Sequence, residues 1–427
     1  MNRIKPTLSS FELLAVYLSY VSRYLYPLFL LPYYGRTLGA GGYAVILAGM
    51  SLSNSIWLFV NYGFSTVGAR DTVHTQNDAE RAAILRRQFS ARLVLCVPGA
   101  IVGAIAVTQS AIFARVPGIG APVVAMGLVA AFNLGWYFAS TGRAKKSVAI
   151  EVVGFVLSLS MIFCFIHRPG DLKFVFPLLL ASSVAQLGLA YWAVRREFSG
   201  LLSSLRDALG LIRQSTVIFI YGGTSVLLIG ASTYVLSLLA PAAEVGAFGV
   251  AERLIGAGLS LMGPAAQILV PKVTFLVGRD AQRANVMARR IFAFFFGGAT
   301  LATLVTLCAA GWIVPFIFGA GFAHAVPVLQ LLAFVLPVSV CTQVLGMYFL
   351  IPRKREALLA RSGVISALVN LACAVPLATH WGAMGMAVAR LLGELTMLSV
   401  LLVGVWRAGL AAEFAGVRRC AGSPAGT

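Results

Sequence analysis

The sequence predicts an all-α integral membrane protein of about twelve transmembrane helices, arranged as two six-helix lobes. Three observations carry that expectation. Over 427 residues the chain is 59% hydrophobic and 11% charged, with a mean hydropathy of +0.89, whereas an ordinary soluble domain carries roughly 25% charged residues. Apolar runs recur from end to end, each of roughly 18 or more residues and so long enough to cross a hydrocarbon core about 30 Å thick. The loops between them alternate between basic and nearly uncharged.

The first run, roughly 11 to 34, follows Arg3 and Lys5. It is too long for a signal peptide and lacks a small-residue cleavage site, so it is expected to stay as helix 1. It holds Pro27 and Pro32, which permit bending, and Arg23. Arg23 lies about 12 residues in, hence about 18 Å deep at 1.5 Å per residue. The corner that follows, "YYGRTLGAGGYAVI" at 33 to 46, sets Arg36, Gly35, Gly39, Gly41 and Gly42 ahead of Tyr43. It is expected to reverse the chain tightly, with Gly41 and Gly42 supplying backbone freedom.

Helix 2, 43 to 64, carries Asn54 and Asn61, seven apart on one face, and a basic loop with Arg70, Arg81, Arg86, Arg87 and Arg92 follows. Helix 3 is expected at 89 to 110 and helix 4 at 121 to 141, the latter with Asn133, Trp136, Tyr137 and Ser140. After Arg143, Lys145 and Lys146 comes helix 5, 148 to 167, with Glu151 expected at the interface close to those lysines. Helix 6 spans 174 to 194, and 195 to 214 has amphipathic spacing (Phe198, Leu201, Leu202, Leu205, Leu209, Ile212) with basic residues interleaved. That stretch reads as an interfacial linker. The second half repeats the plan with helices at 214 to 240, 246 to 270, 291 to 318, 326 to 350, 362 to 380 and 384 to 406. Pro264 lies within helix 8 and Pro271 at its end.

The stretch 33 to 92 is loosely paralleled by 237 to 290, where span end, glycine-aromatic corner, span and basic loop recur in order. An ordered repeat of this kind points to two lobes of one orientation. The expected divisions are 1–194 for the N-terminal lobe, 195–213 for the linker, 214–406 for the C-terminal lobe and 407–427 for a cytoplasmic tail. On one side of the membrane fall 26 Lys and Arg, on the other 4. The positive-inside rule then puts both termini in the cytoplasm. Loops lying against an anionic leaflet account for the net charge of +19, with no need of nucleic acid. The cysteines lack a paired C-x-x-C spacing and the four histidines lack ligand spacing, so neither metal nor cofactor is expected.

"RTLGAGGYA" at 36 to 44, "NYGFSTVGARD" at 61 to 71 and "VGAFGVAERL" at 245 to 254 resemble the corners of the Wzx-type polysaccharide flippases, in the multidrug/oligosaccharidyl-lipid/polysaccharide (MOP) exporter superfamily that includes the MATE transporters. With the span count, the resemblance covers essentially the whole chain. It implies a MATE-like fold around a central cavity in a bacterial inner membrane, with no enzymatic activity. It also implies flipping of an undecaprenyl-diphosphate-linked oligosaccharide from the cytoplasmic to the periplasmic leaflet, in contact with membrane lipids and in company with the polysaccharide polymerase and chain-length machinery.

Such a substrate has a polar head and an anionic diphosphate, which need a hydrated cationic path. Charges within spans are functional candidates by default, and here they are Arg23, Arg253 and Arg390, with Arg36 at the mouth of helix 1. A guanidinium suits a diphosphate because its planar fork donates two hydrogen bonds and stays charged. Each has a structural alternative. Arg390 has Glu394 at i, i+4 and can neutralise itself there. The neighbour of Arg253, Glu252, points about 100° away and does not face it. Arg36 can anchor at the headgroups, while Arg23 has no carboxylate within a turn.

Asn54, Asn61, Tyr221, Ser225 and Ser232 suit sugars and equally suit helix packing, and Glu252 and Glu394 are the carboxylates placed for ion coupling. A cation-coupled drug antiporter of the same fold is the nearest rival, although helix 1 offers an arginine at depth where such a protein needs a carboxylate. A membrane polymerase or glycosyltransferase would show a sizeable outer loop, and none is present.

Overall fold

The computed structural model describes residues 10–73, 75, 77–197, 200, 202–220 and 230–410, with backbone alone for 10–29, 217, 264, 267, 268 and 281. The described chain is all-α. Its helices are α1 Ser10–Asn61, α2 Phe64–Val73, α3 Asp78–Gln109, α4 Ala111–Ala114, α5 Gly120–Ala130, α6 Gly135–Ser140, α7 Ala144–Phe165, α8 Leu172–Ala193, α9 Leu205–Ile218, α10 Ser232–Leu239, α11 Ala242–Ser260, α12 Met262–Val277, α13 Ala281–Phe318, α14 Ala325–Ala333, α15 Val335–Gln343 and α16 Glu356–Arg407. Among the described residues, 8 helical stretches are long and apolar enough to cross a membrane. The protein is therefore a multi-pass membrane protein.

Part of the difference from twelve lies in helices that each join two expected spans. A continuous helix of 52 residues, the length of α16, would reach about 78 Å, far beyond a bilayer. Instead, Gly382 takes φ 53° and ψ −127° and the helix folds back. Ser366 Oγ donates to the Gly393 carbonyl at 2.7 Å, Gly385 abuts the Leu377 carbonyl and Gly404 abuts Leu358. Those pairs converge symmetrically on residues 380 to 382, so α16 is an antiparallel hairpin of two apolar arms. In α1 the break is at Gly39, with φ 69° and ψ 176°. Other expected spans are interrupted. Helix 4 divides into α5 and α6, helix 8 into α11 and α12, and helix 10 into α14, α15 and a π-helical turn at Val344–Leu350.

The corner's glycine is thus Gly39, not the pair Gly41 and Gly42 on which the sequence reading relied. Only Gly39 of the three has positive φ. Gly42 is glycine for lack of room, since a Cβ there would lie 2.9 Å from Leu38 Cβ, while one at Gly41 meets nothing within 4 Å. Gly39→Val is expected to destabilise by about 1–2 kcal/mol, because a β-branched residue resists positive φ. Gly41→Ala should leave the thermal midpoint of the detergent-solubilised protein unchanged or slightly raised. Equal losses in the two variants would contradict this assignment.

The chain packs as two units, Met1–Gly249 with Ile313–Ala325, and Val250–Trp312 with Val326–Thr427. In the first, α1 packs on α5, α7 on α8 and α5 on α8. Small residues permit these approaches: Gly49 lies against Phe176, Gly127 against Ile56 and Gly103 against Val124. Close backbone approach through glycine is how membrane helices gain dispersion contacts when lipid offers no hydrophobic drive. Tyr43 is fully buried, with its ring edge-on to Phe322 at 5.2 Å and Phe318 at 5.8 Å. In the second unit a core forms from Met262, Val273, Ile291, Val340 and Tyr348.

The stretch expected as a linker overlaps α9, which Ser204 caps, its Oγ accepting from the Asp207 amide at 3.1 Å. It buries Ala208, Leu211 and Ser215, packing with Phe64, Val67 and Ala91 of α2 and α3. Leu205 and Leu209 stay exposed on it, as does Leu202 just before it.

Candidate functional site

Helix α3 begins eleven residues earlier than the sequence reading placed helix 3, and that shift reassigns a basic residue. Asn77 caps it by accepting from the Ala79 amide at 3.0 Å, satisfying one of the orphan donors of a helix start. Arg92, expected in a basic cytoplasmic loop, therefore sits on the fourth turn of α3 and is 2% exposed.

Every donor of its guanidinium is used. Nε donates to the Ala131 carbonyl at 2.6 Å. Nη1 donates to the Gln88 carbonyl at 3.0 Å and to Gln88 Oε1 at 2.7 Å, and Nη2 to Asn61 Oδ1 at 3.3 Å and Ser65 Oγ at 3.4 Å. The group also lies over the Phe64 ring, 5.5 Å from its centroid, and Gln88 Nε2 donates to the Phe64 carbonyl at 2.9 Å. No carboxylate pairs with Arg92 among the described residues.

The acceptors explain the arrangement. Ala131 ends α5, where a helix leaves carbonyls without intrahelical partners. Asn61 ends α1, just before Tyr62 and Gly63 take φ 45° and 78°. Arg92 thus ties two helix interruptions, one in helix 2 and one in helix 4, to α3. Neutral oxygens from four elements, α1, α2, α3 and the end of α5, replace water around one buried cation, which is what burial of a charge requires.

A second cluster closes the end of α6. Arg143 Nη2 donates to Glu197 Oε2 at 2.8 Å, Arg143 Nη1 donates to Glu197 Oε1, and the Tyr137 hydroxyl donates to Glu197 Oε2. The Arg143 guanidinium stacks 5.3 Å from the Tyr137 ring centroid. Burial alone would raise the Glu197 pKa, but the hydrogen bonds from Arg143 and Tyr137 outweigh it and hold the carboxyl below its ordinary value. A carboxylate with a lowered folded-state pKa contributes stability above its unfolded pKa of about 4.3 and loses it as pH falls through the folded value. Glu197→Gln is therefore expected to be less stable than wild type at pH 7, with the difference shrinking below about pH 4. Thermal melts at several pH values check this, and a pH-independent difference would refute it.

The other sequence-predicted residues fall as follows. Arg36 is solvent-exposed and donates from Nε to the Ile317 carbonyl at 3.2 Å, and from Nη2 to the Phe316 carbonyl. It caps the C-terminus of α13, where a cation is favoured by the helix dipole. Asn54 is exposed beside Gly230, and Asn61 belongs to the Arg92 cluster. In the second unit Arg390 pairs with Glu394 at 2.9 Å, and both are largely buried. Arg253 is exposed and takes no ion pair among the described residues, while Glu252 is half-buried. The side chain of Arg23, together with Tyr221 and Ser225, lies outside the described residues. Glu151, expected at the membrane interface, is 8% exposed within α7.

The glutamine and arginine of the Arg92 cluster had a signal in the sequence. Asn77-Asp78-Ala79-Glu80 has the spacing of a capping box, which starts a helix at Asp78 and puts Gln88 and Arg92 one turn apart on it.

This fold has solved counterparts. The chain superposes on an inward-facing multidrug resistance MATE family transporter of the MOP superfamily with TM-score 0.66 at 15% identity, covering 92% of this chain and 96% of that one. On the lipid II flippase MurJ in its inward closed conformation the TM-score is 0.68 at 12% identity, covering 94% and 89%. In sequence it is 22% identical over 399 residues to a "Putative O-antigen transporter" of Shigella dysenteriae, covering 92% of this chain and 99% of that protein. It is 20% identical over 410 residues to a protein of the same description from Escherichia coli K12, covering 91% and 95%. No family model matches the sequence. Fold and composition define a multi-pass membrane protein with a MATE-like fold. The chain has a fold like that of MATE transporters and is similar over about nine-tenths of its length to proteins described as O-antigen transporters.

Proposed function

We propose that the protein flips an undecaprenyl-diphosphate-linked oligosaccharide from the cytoplasmic to the periplasmic leaflet of a bacterial inner membrane by alternating access, for surface polysaccharide synthesis. The observation that carries this reading is the near-complete coverage of two relatives described as O-antigen transporters. A fold shared with a lipid II flippase supports it. In this reading residues 1–194 and 214–406 form two six-helix lobes joined by 195–213, with both termini cytoplasmic. Arg23 and Arg253 bind the diphosphate, each from its own lobe. Arg390 acts through its pair with Glu394, and Arg36 secures a helix end near the exit.

Deleting the protein tests the function. A lipid-linked oligosaccharide should accumulate on the cytoplasmic face while surface polysaccharide is lost. Unchanged sidedness of every lipid-linked glycan, with altered drug susceptibility, would favour a drug antiporter instead. Topology has its own check: reporter fusions at Lys146 and Lys354 should read out in the cytoplasm, and a periplasmic signal at either would overturn the orientation.

A further inference from the structure

Helix α9 and the residues just before it are fastened to α3 without filling the space between them. The Ser203 amide donates to Ser90 Oγ at 2.8 Å, and Ala208 and Leu211 pack with Ala91. The chain reaches this point through Gly200, which takes φ 95° and where a Cβ would lie 3.9 Å from Arg86 Cδ. What is left between α3 and α9 is a cavity of about 600 Å³, wholly within the first unit. That volume is in the range of about 300–1,000 Å³ typical of small-ligand sites.

The lining divides by charge. Arg86 and Arg87 come from α3 and Asp207 from the first turn of α9, while Ile84 and Leu202 supply apolar surface. Asp71 accepts from Arg87 Nη2 at 2.9 Å and from Arg70 Nη2 at 3.3 Å. One carboxylate thus answers two guanidiniums, and the α3 wall keeps a surplus of positive charge. On the opposite wall Asp207 Oδ2 accepts from Ser204 Oγ at 2.6 Å and takes no ion pair among the described residues. Leu202 and Leu205 are 64% and 65% exposed, with Arg206 and Arg213 exposed on the same helix as Leu205. A helix that shows leucines together with cations is suited to lie at a membrane surface.

We propose that this cavity binds the headgroup of a phosphoethanolamine lipid from the adjoining leaflet, with the phosphate against Arg86 and Arg87, the ammonium against Asp207 and an acyl chain along Leu202 and Leu205. Guanidinium groups suit a phosphate because their planar fork donates paired hydrogen bonds, and an ammonium brings three donors to a carboxylate. The mixed charge of the walls chooses among lipids. A phosphoglycerol headgroup satisfies the arginines and offers Asp207 no cation. A phosphocholine headgroup has the right charges, but its quaternary nitrogen has no hydrogen to donate. Inorganic phosphate would leave both Asp207 and the exposed leucines without a partner. The site does not depend on which substrate the protein moves, and it goes beyond the flippase reading.

The test uses the full-length protein in detergent, melted with equal amounts of dioleoyl phosphatidylethanolamine, phosphatidylcholine or phosphatidylglycerol, so that acyl chains are constant and only the headgroup varies. Binding to the folded state raises the midpoint by mass action. A midpoint about 2–4 °C higher with the ethanolamine lipid than with either of the others is expected for wild type. Asp207→Asn should abolish that preference by removing the charge, and it spares the helix cap, which uses the backbone amide at 207. Ala83→Phe should abolish it as well. Ala83 is exposed on α3 and lines the cavity, so the larger side chain occupies the space and leaves every charge in place. This variant provides the second reading if Asp207→Asn fails to fold. Equal wild-type midpoints with all three lipids would overturn the proposal, as would a larger rise with phosphatidylglycerol or an ethanolamine preference that survives in both variants. Each of these outcomes leaves the flippase reading standing, because that reading is judged by the sidedness of the glycan.

Discussion

Arg92→Met is expected to lower the stability of the protein by about 3 kcal/mol, the largest structural effect of any single substitution considered. Methionine fills a comparable volume and removes five donors. The Ala131 carbonyl and Gln88 Oε1 lose the bonds at 2.6 and 2.7 Å, in a site that admits almost no solvent. Each buried acceptor stripped of its partner costs about 1–3 kcal/mol. Arg92→Lys retains the charge but offers three donors from a single point, which cannot reach Ala131, Gln88 and Asn61 together. It should fall between methionine and wild type. Thermal midpoints of the purified variants, with membrane abundance as a second readout, decide the matter. A methionine variant as stable as wild type would show that the cluster contributes no net stability.

Arg23→Gln and Arg253→Gln are each expected to abolish polysaccharide export at unchanged protein level, the largest functional effect. The sequence reading puts Arg23 about 18 Å along helix 1, where a charge is a functional candidate by default. Arg253 is exposed and has no ion pair among the described residues, unlike Arg390, which Glu394 neutralises. Lysine at either position should restore export in part, since it keeps the charge and loses the bidentate fork. Arg390→Gln should act differently, reducing protein abundance by leaving Glu394 as a buried unpaired charge. Normal export per molecule in a well-expressed Arg23→Gln protein would remove the diphosphate assignment for that residue.

Membrane class, the helical fold and the recurrence of apolar spans follow from the sequence by itself, because run length and charge bias are local sums that need no partner. The pairing of Arg390 with Glu394 is local too, set by i, i+4 spacing, and the Asn77 cap could have been read in the same way. What the tertiary structure alone decided are the roles of residues whose partners are distant in the chain. Arg92 finds Ala131 at a separation of 39 residues, and Arg36 finds Phe316 at 280. Glu151 is buried because α7 packs against α6 and α8, and no periodicity in its own helix records that. In a membrane span polar groups must be satisfied within protein, so the role of a buried charge is set by where the neighbouring helices end, which only the packed chain determines.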